Sequence, residues 1–180
     1  MSKIIEYTLV SADGVFENPQ DLGFMDFRDD AYMRDGLGLL LASDAMLMGR
    51  TSYEAFAKIW PSRSEHPWAE RLNAIPKYVF SSSLDLAEWA NTTIVRGDVV
   101  EQAARLKRGH PRNLLIWGHT RLAETLMANR LIDVLDLSMH PVIVGAGKLL
   151  FRDGQRVNLR LASTKSFSNI VKLTYECDYS

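Results

Sequence analysis

The chain has 180 residues, 47% hydrophobic and 24% charged, with a formal net charge of −1. That length suits one domain with its own core, and the near-neutral charge gives no bulk attraction to nucleic acid or an anionic membrane. No apolar run approaches the ~20 residues of a membrane span; the start Met1-Ser2-Lys3-Ile4-Ile5-Glu6 lacks the core of a signal peptide, and the single Cys177 excludes an internal disulfide, so a reducing cytoplasm is expected.

Lys3 to Val10 is rich in β-branched and apolar residues and reads as a first strand, closed by the turn former Ser11-Ala12-Asp13-Gly14. Val15 to Phe27, with Asn18-Pro19 and Gly23, reads as a long loop of the kind that often forms a lid. Asp29 to Ser43 sets Tyr32, Met33, Leu37, Leu40 and Leu41 on one helical face, with Gly36 and Gly38 weighing against the helix. Ala45-Met46-Leu47-Met48 has the length and type of a strand buried on both faces. Gly49 allows a sharp turn, after which Thr51 or Ser52 can cap a helix running to about Ile59. Trp60-Pro61 breaks that helix, and His66 to Ala74 reads as another, stopped by Pro76. Trp60 and Trp68 belong to the core or to a dimer surface, or wall a pocket.

Lys77 to Phe80 and Thr92 to Val95 read as strands. Asp98 to Arg108 is an amphipathic helix capped by Asp98, Asn113 to Trp117 a buried strand, and Thr120 to Asn129 a helix. Val134 to His140 is a strand entering Pro141. Val157 to Phe167 and Ile170 to Tyr179 alternate apolar and polar residues, as an antiparallel hairpin turning at Ser168-Asn169 does. The expected fold is α/β: three layers, a mixed and mostly parallel sheet of about eight strands, helices on both faces and an antiparallel C-terminal hairpin. The open edge of that hairpin invites pairing, so a homodimer is expected.

Three strand ends finish in small residues followed by a turn: Gly49-Arg50-Thr51-Ser52, Ser81-Ser82-Ser83 and Gly118-His119-Thr120. In an open parallel sheet the ligand crevice lies at the C-terminal ends of the strands. Helix N-termini favour anions, and Arg50 carries a planar fork suited to phosphate. These turns read either as a cradle for a nucleotide phosphate or as ordinary strand-to-helix connections with a solvated arginine. No G-x-G-x-x-G follows the first strand. His66, His110, His119 and His140 have no metal-site spacing. Ser81 and Ser82 lack the elbow and paired base of a nucleophile. Asp13 reads as a turn residue or as a polar group near a substrate, and Asp30 as a first-turn acid or a proton donor. Gly145 and Gly147 read as a backbone bend or as a place where a ligand meets main chain.

Five segments carry a more specific signal. They are Ser11-Ala12-Asp13-Gly14, Leu47-Met48-Gly49-Arg50-Thr51-Ser52-Tyr53-Glu54, Lys77-Tyr78-Val79-Phe80-Ser81, Leu115-Ile116-Trp117-Gly118, and His140-Pro141-Val142-Ile143-Val144-Gly145-Ala146-Gly147 with Leu150-Phe151. Over nearly its whole length the chain resembles the dihydrofolate-reductase-like superfamily. Within it, the chain is similar to stand-alone relatives of the reductase domain of the riboflavin-biosynthesis deaminase/reductase.

The resemblance implies NADPH as cofactor and hydride transfer to a small, heterocyclic substrate, as in 5-amino-6-(5-phosphoribosylamino)uracil reductase. It implies Gly49, Arg50 and Thr51 at the cofactor phosphates, with Arg50 at the adenosine 2′-phosphate. It implies Ser81 and Ser82 beside the adenosine, Gly118, His119 and Thr120 at the pyrophosphate, and Gly145 and Gly147 near the nicotinamide carboxamide. Asp13 would border nicotinamide and substrate. The family's turn is richer in glycine, so His119 and Thr120 would crowd a pyrophosphate or bond to it. The proton that accompanies hydride would come from a carboxyl such as Asp13 or Asp30, a histidine, or ordered water. The zinc pattern of the deaminase half is missing, which excludes deamination. The alternative from another class is a non-catalytic nucleotide- or small-ligand-binding protein on the same fold.

Overall fold

The computed structural model describes residues 2–151 and 156–180. Its elements in chain order are β1 (Ile4–Ser11), a single 3-10 turn (Phe24–Phe27), α1 (Asp30–Leu41), β2 (Ser43–Gly49), α2 (Arg50–Ala57), α3 (Pro67–Ala74), β3 (Lys77–Phe80), β4 (Thr92–Val95), α4 (Val99–Gly109), β5 (Asn113–Trp117), α5 (Arg121–Ala128), β6 (Val134–His140), β7 (Asn158–Ser166) and β8 (Val171–Asp178). The strands form one sheet in the order β4-β3-β2-β5-β1-β6-β8-β7. The first six in that order are parallel; β8 runs antiparallel to β6, and β7 antiparallel to β8. The expected eight-stranded architecture is the one observed. No helix of the described residues is long and apolar enough to cross a membrane.

The period-two alternation of β1 explains the layering. Ile5, Tyr7 and Leu9 face one core, shared with Tyr32 and Leu40 of α1, Tyr53 of α2 and Trp68 and Leu72 of α3. Ile4 and Val10 face the other, shared with Ala103 of α4 and Leu122, Ala123 and Leu126 of α5. All eight residues of β1 are buried. Each large apolar side chain so buried contributes roughly 1.5–3 kcal/mol. The glycines that weakened the helical reading of α1 have a packing reason at Gly36. A Cβ there would lie 3.0 Å from the Trp68 ring, so the glycine lets α1 and α3 approach. Trp68 is accordingly core, with Trp60 packed against the same cluster.

Two local expectations are corrected. Neither Thr51 nor Ser52 caps α2: the helix begins at Arg50, Gly49 is the N-cap residue, and no side chain takes the first amides. The helix ends at Ala57, close to the expected Ile59. The long loop after β1 also has structure at both ends: Val15 bridges to Leu149, and Phe24–Phe27 forms the 3-10 turn. Asp98 caps α4 as expected, accepting from the Glu101 amide at 2.8 Å. Asp29 caps α1 through the Tyr32 amide (2.7 Å) and also accepts from Ser168 N (2.9 Å) and Oγ (2.7 Å), tying the helix to the hairpin turn.

Lys77 is fully buried on β3. Its ammonium donates to the carbonyls of Ile75 (2.6 Å) and Leu72 (2.7 Å), which end α3, and lies 4.3 Å from the centre of the Trp89 ring. Burial, with the charge of Arg71 behind it, lowers its pKa to about 8. A lysine depressed in the fold binds fewer protons than in the unfolded chain between that value and its ordinary one, so this residue favours the fold increasingly as pH rises through the window. Urea unfolding at pH 7.5 and pH 10 checks this: the stability difference between wild type and Lys77→Met should grow in favour of wild type at the higher pH, and a constant difference would contradict the assignment.

Candidate functional site

Because β3, β2 and β5 are parallel neighbours, the three small-residue turns come side by side at one edge of the sheet. α2 starts at the end of β2, and α5 starts just after β5 with Thr120 as its N-cap. Both helix N-termini open on a cleft of ≈ 490 Å³, lined among others by Gly49, Arg50, Thr51, Ser52, Thr120 and Arg121. Gly49 has φ −80° and ψ 164°, which any residue adopts, so the turn itself does not demand glycine. What the missing Cβ leaves is open space, with no atom within 4 Å of where it would stand. A ligand could therefore approach the main chain there as far as the Cα.

The Arg50 guanidinium is half-exposed and lies at the rim of this cleft. Its Nε donates to Glu54 Oε1 (2.6 Å) and its Nη1 to Ser83 Oγ (2.8 Å). An exposed i,i+4 ion pair is worth about 0.3–0.5 kcal/mol. A charge-assisted bond to a bound anion is worth about 1.5–3 kcal/mol, so the pair with Glu54 does not bar Arg50 from a phosphate. Arg121 adds a second cation from the first turn of α5. It was missed in the sequence, although its place one residue after the Thr120 cap was the available signal.

Ser81 and Ser82 do not line this cleft. Ser81 Oγ accepts from the amides of Ser83 (3.3 Å) and Leu84 (3.0 Å), shaping the loop after β3. Arg96, also missed, holds the same loop through the carbonyls of Ser81 (2.6 Å) and Leu84. This loop meets the rim of the cleft through Ser83, whose hydroxyl and carbonyl accept from Arg50.

His119 goes elsewhere. Gly118 takes φ +83° and donates to the Tyr7 carbonyl at 2.7 Å, and the chain turns the histidine inward. Its ring is buried, edge-on to Phe16 (5.3 Å) and Phe151 (5.6 Å), with Nδ1 2.7 Å from Oε1 of the fully buried Glu6. The expected crowding of the cleft by His119 is therefore not found, while Thr120 does line it. Glu6 was missed because its partner lies 113 residues away, where no local pattern points to it.

The loops after β1 and β6 are zipped together. Ala12 N donates to the Val142 carbonyl (2.8 Å) and Leu150 N to the Gly14 carbonyl (2.8 Å). Asp13 is the clamp: it accepts from Ser11 Oγ (2.6 Å), Gly145 N (2.8 Å) and Val144 N (3.1 Å). The Ser11 hydroxyl and then those two amides bring its pKa down to about 2. An acid held ionised in this way positions a loop and has no proton to give at neutral pH. Gly145 and Gly147 both belong to that clamped loop, at positive φ. Asp30 is exposed in the first turn of α1, and the structure does not bring it to Asp13 or to the cleft.

Beneath α1 lies a buried polar layer. The hydroxyls of Tyr7 and Tyr32 are 2.6 Å apart, with Ser138 Oγ 3.4 Å from Tyr7. Burial raises the pKa of both phenols. Lys172 joins Asp35 (2.6 Å) to Asp136 (2.9 Å). His140, at the end of β6, places Nδ1 2.9 Å from the Ser138 carbonyl.

Comparisons with known proteins agree with the fold. The family model described as the RibD C-terminal domain matches residues 2–173. YyaP, an uncharacterised protein of Bacillus subtilis (strain 168), is 31% identical over 163 residues, which cover 86% of this chain and 79% of YyaP. A putative riboflavin biosynthesis protein from Shewanella sp. PV-4 superposes with a TM-score of 0.79 at 18% identity, over 98% of this chain and 99% of that one. A pyrimidine reductase-like protein from Corynebacterium diphtheriae superposes with a TM-score of 0.72 at 11% identity, over 99% of this chain and 93% of that one. At such identities the superpositions speak for the fold alone.

The clamp gives a test by amide hydrogen exchange. Asp13→Ala should speed exchange at Val144 and Gly145 by about tenfold or more at pH 7, the worth of roughly one hydrogen bond. In the wild type, the carboxylate's contribution should persist through pH 4 and fade only as pH falls through about 2, since the folded pKa is the depressed one.

Proposed function

The chain belongs to the RibD C-terminal domain family, and on that premise we propose that it is an NADPH-dependent reductase of a small, heterocyclic substrate. One observation carries the reading: two helix N-termini and two arginines converge on a single cleft at the C-terminal ends of adjacent parallel strands. Each terminus is equivalent to roughly half a positive charge. With Arg50 and Arg121 the donor set is matched to a polyanion such as the pyrophosphate and 2′-phosphate of NADPH. The open space over Gly49 and the inward turn of His119 fit the same ligand.

In this proposal the amides at the start of α2, Thr51 and Thr120 hold the pyrophosphate, and Arg50 takes the 2′-phosphate. Ser81 acts by shaping the loop beside the adenosine, which also carries Ser82. Asp13 acts by holding Gly145 where main chain meets the carboxamide. NADPH, when bound, supplies the hydride. Asp13 is ionised and Asp30 lies apart in the open, so the accompanying proton is assigned to water. The wholly exposed β7 edge supports pairing with a second copy of the chain. The same lack of a carboxylic acid at the clamped loops favours, as a second reading, a nucleotide-binding protein without turnover. NADPH oxidation with a panel of pterins, aminopyrimidines and quinones separates the two.

Titration of NADPH and NADH against wild type and two variants tests the site. Arg50→Ala should weaken NADPH about 10- to 100-fold and abolish its advantage over NADH. Arg121→Ala should weaken both cofactors alike. Preference for NADPH that survives Arg50→Ala removes that assignment, and failure of the wild type to bind NADPH overturns the reading.

A further inference from the structure

An antiparallel hairpin at the side of a sheet ordinarily turns its apolar face to a core and its polar face to water. The β7–β8 hairpin does the reverse. Residues opposite one another in an antiparallel pair share a face, so the register sorts the hairpin into two. On the α1 side stand Arg160 with Glu176, Ser163 with Thr174, and Lys165 with Lys172. Lys165 and Lys172 both pair with Asp35 of α1, the latter at 2.6 Å, and Lys172 also reaches Asp136 of β6 at 2.9 Å. On the other side stand Leu159 with Cys177, Leu161 with Tyr175, Thr164 with Leu173, and Ser166 with Val171. That second face carries no charged residue.

Its cover runs out strand by strand. On β6, Leu135 and Leu137, opposite Tyr175 and Leu173, are buried in the core shared with α4 and α5. One strand out, Tyr175 and Cys177 pack only against the margin of that core. Among the described residues, Leu159, Leu161 and Val171 belong to neither core and are 39%, 53% and 39% exposed. All nine residues of β7 are exposed. At about 3.4 Å per residue and about 4.8 Å between strands, the hairpin face is a strip of roughly 30 Å by 10 Å. Apolar patches of that order mark interaction sites.

We infer that this uncharged hairpin face is an interface on which a second copy of the chain packs, sheet face against sheet face about a twofold axis. A twofold contact must be complementary to itself, and a face of leucine, valine and tyrosine without charge is matched by its own copy, with no ion to strip of water. A partner recognised by charge would find nothing on it to pair with. The face is also held ready from behind. Asp29 accepts from Ser168 N (2.9 Å) and Oγ (2.7 Å), and Asp35 pairs with both lysines, so little ordering is left for association to cost. Pairing along the strand edge is the poorer geometry. The register of β7 shifts between Leu161 and Ser163, and a bulge of this kind keeps an edge strand from extending its ladder. The inference rests on the proposed pairing through β7 and moves the contact from the strand's edge to its face; it does not depend on NADPH.

Sedimentation velocity of the whole chain without cofactor, from about 1 μM to about 1 mM, reads the association. Wild type should pass from monomer to dimer within that range. Leu161→Glu, which sets a charge on the face, should weaken the dimer about tenfold or more. Arg160→Gln, on the opposite face of the same strand, should leave it unchanged. Nuclear Overhauser contacts in a mixture of methyl-labelled and unlabelled chains locate the interface: the methyls of Leu159, Leu161 and Val171 should touch the unlabelled copy. A chain that stays monomeric throughout, a dimer indifferent to Leu161→Glu, or a dimer that slows amide exchange along β7 without those methyl contacts would overturn the proposal. Should Leu161→Glu fail to fold, the methyl contacts of the wild type decide alone. NADPH titration of Leu161→Glu, expected to match wild type, reports separately on the cleft.

Discussion

The constraint on which the rest of this structure depends is the burial of β1 on both faces. A central strand with helices above and below has no solvated side, so each residue must satisfy itself inside. β1 nevertheless carries Glu6 and Tyr7 next to each other. Alternation sends the acid towards α5 and the phenol towards α1. Glu6 finds His119 at the end of β5, and Tyr7 finds Tyr32 on α1 and Ser138 on β6. These two polar contacts draw in the turn after β5 from one side and the first helix from the other. The functional edge of the sheet is shaped by both.

The same frame explains the electrostatics of the cleft. Parallel strands end together, and each helix that follows points its N-terminus at the common edge. α2 and α5 do so on either side of one opening, and each places an arginine in its first turn. Glu54 and Ser83 keep Arg50 at the rim by contacts weak enough to be exchanged for a phosphate. Further along the edge the chain is tied rather than charged. Asp13 gathers two amides of the loop after β6, and the Val15–Leu149 bridge lies beside it. A carboxylate held by three donors is already ionised at neutral pH, which makes Asp13 part of the frame.

Much of the fold was legible because it rests on local rules. Short apolar runs marked β2, β3 and β5; Asp98 announced α4; the alternating tail announced the hairpin. The Gly-Arg-x-Ser-Tyr-Glu element was rightly placed at a strand-to-helix turn, yet its capping residue was misread, since a glycine N-cap without side-chain bonds leaves no local mark. Gly36 looked like a weakness in α1 because its reason, the Trp68 ring, lies on another helix.

Sequence alone determined the α/β alternation, the three small-residue turns at strand ends, and the family, since each depends on residues near one another in the chain. Tertiary structure decided where the side chains of those turns go. His119 turns inward because Glu6 waits 113 residues earlier, and Arg121 joins Arg50 because β2 and β5 are neighbours in space. Asp13 became a clamp because Val144 and Gly145 lie against it, and His140 met Phe24 because a loop folds back over β6. Each of these outcomes is a long-range contact, and no periodicity or spacing within a single segment encodes the partner.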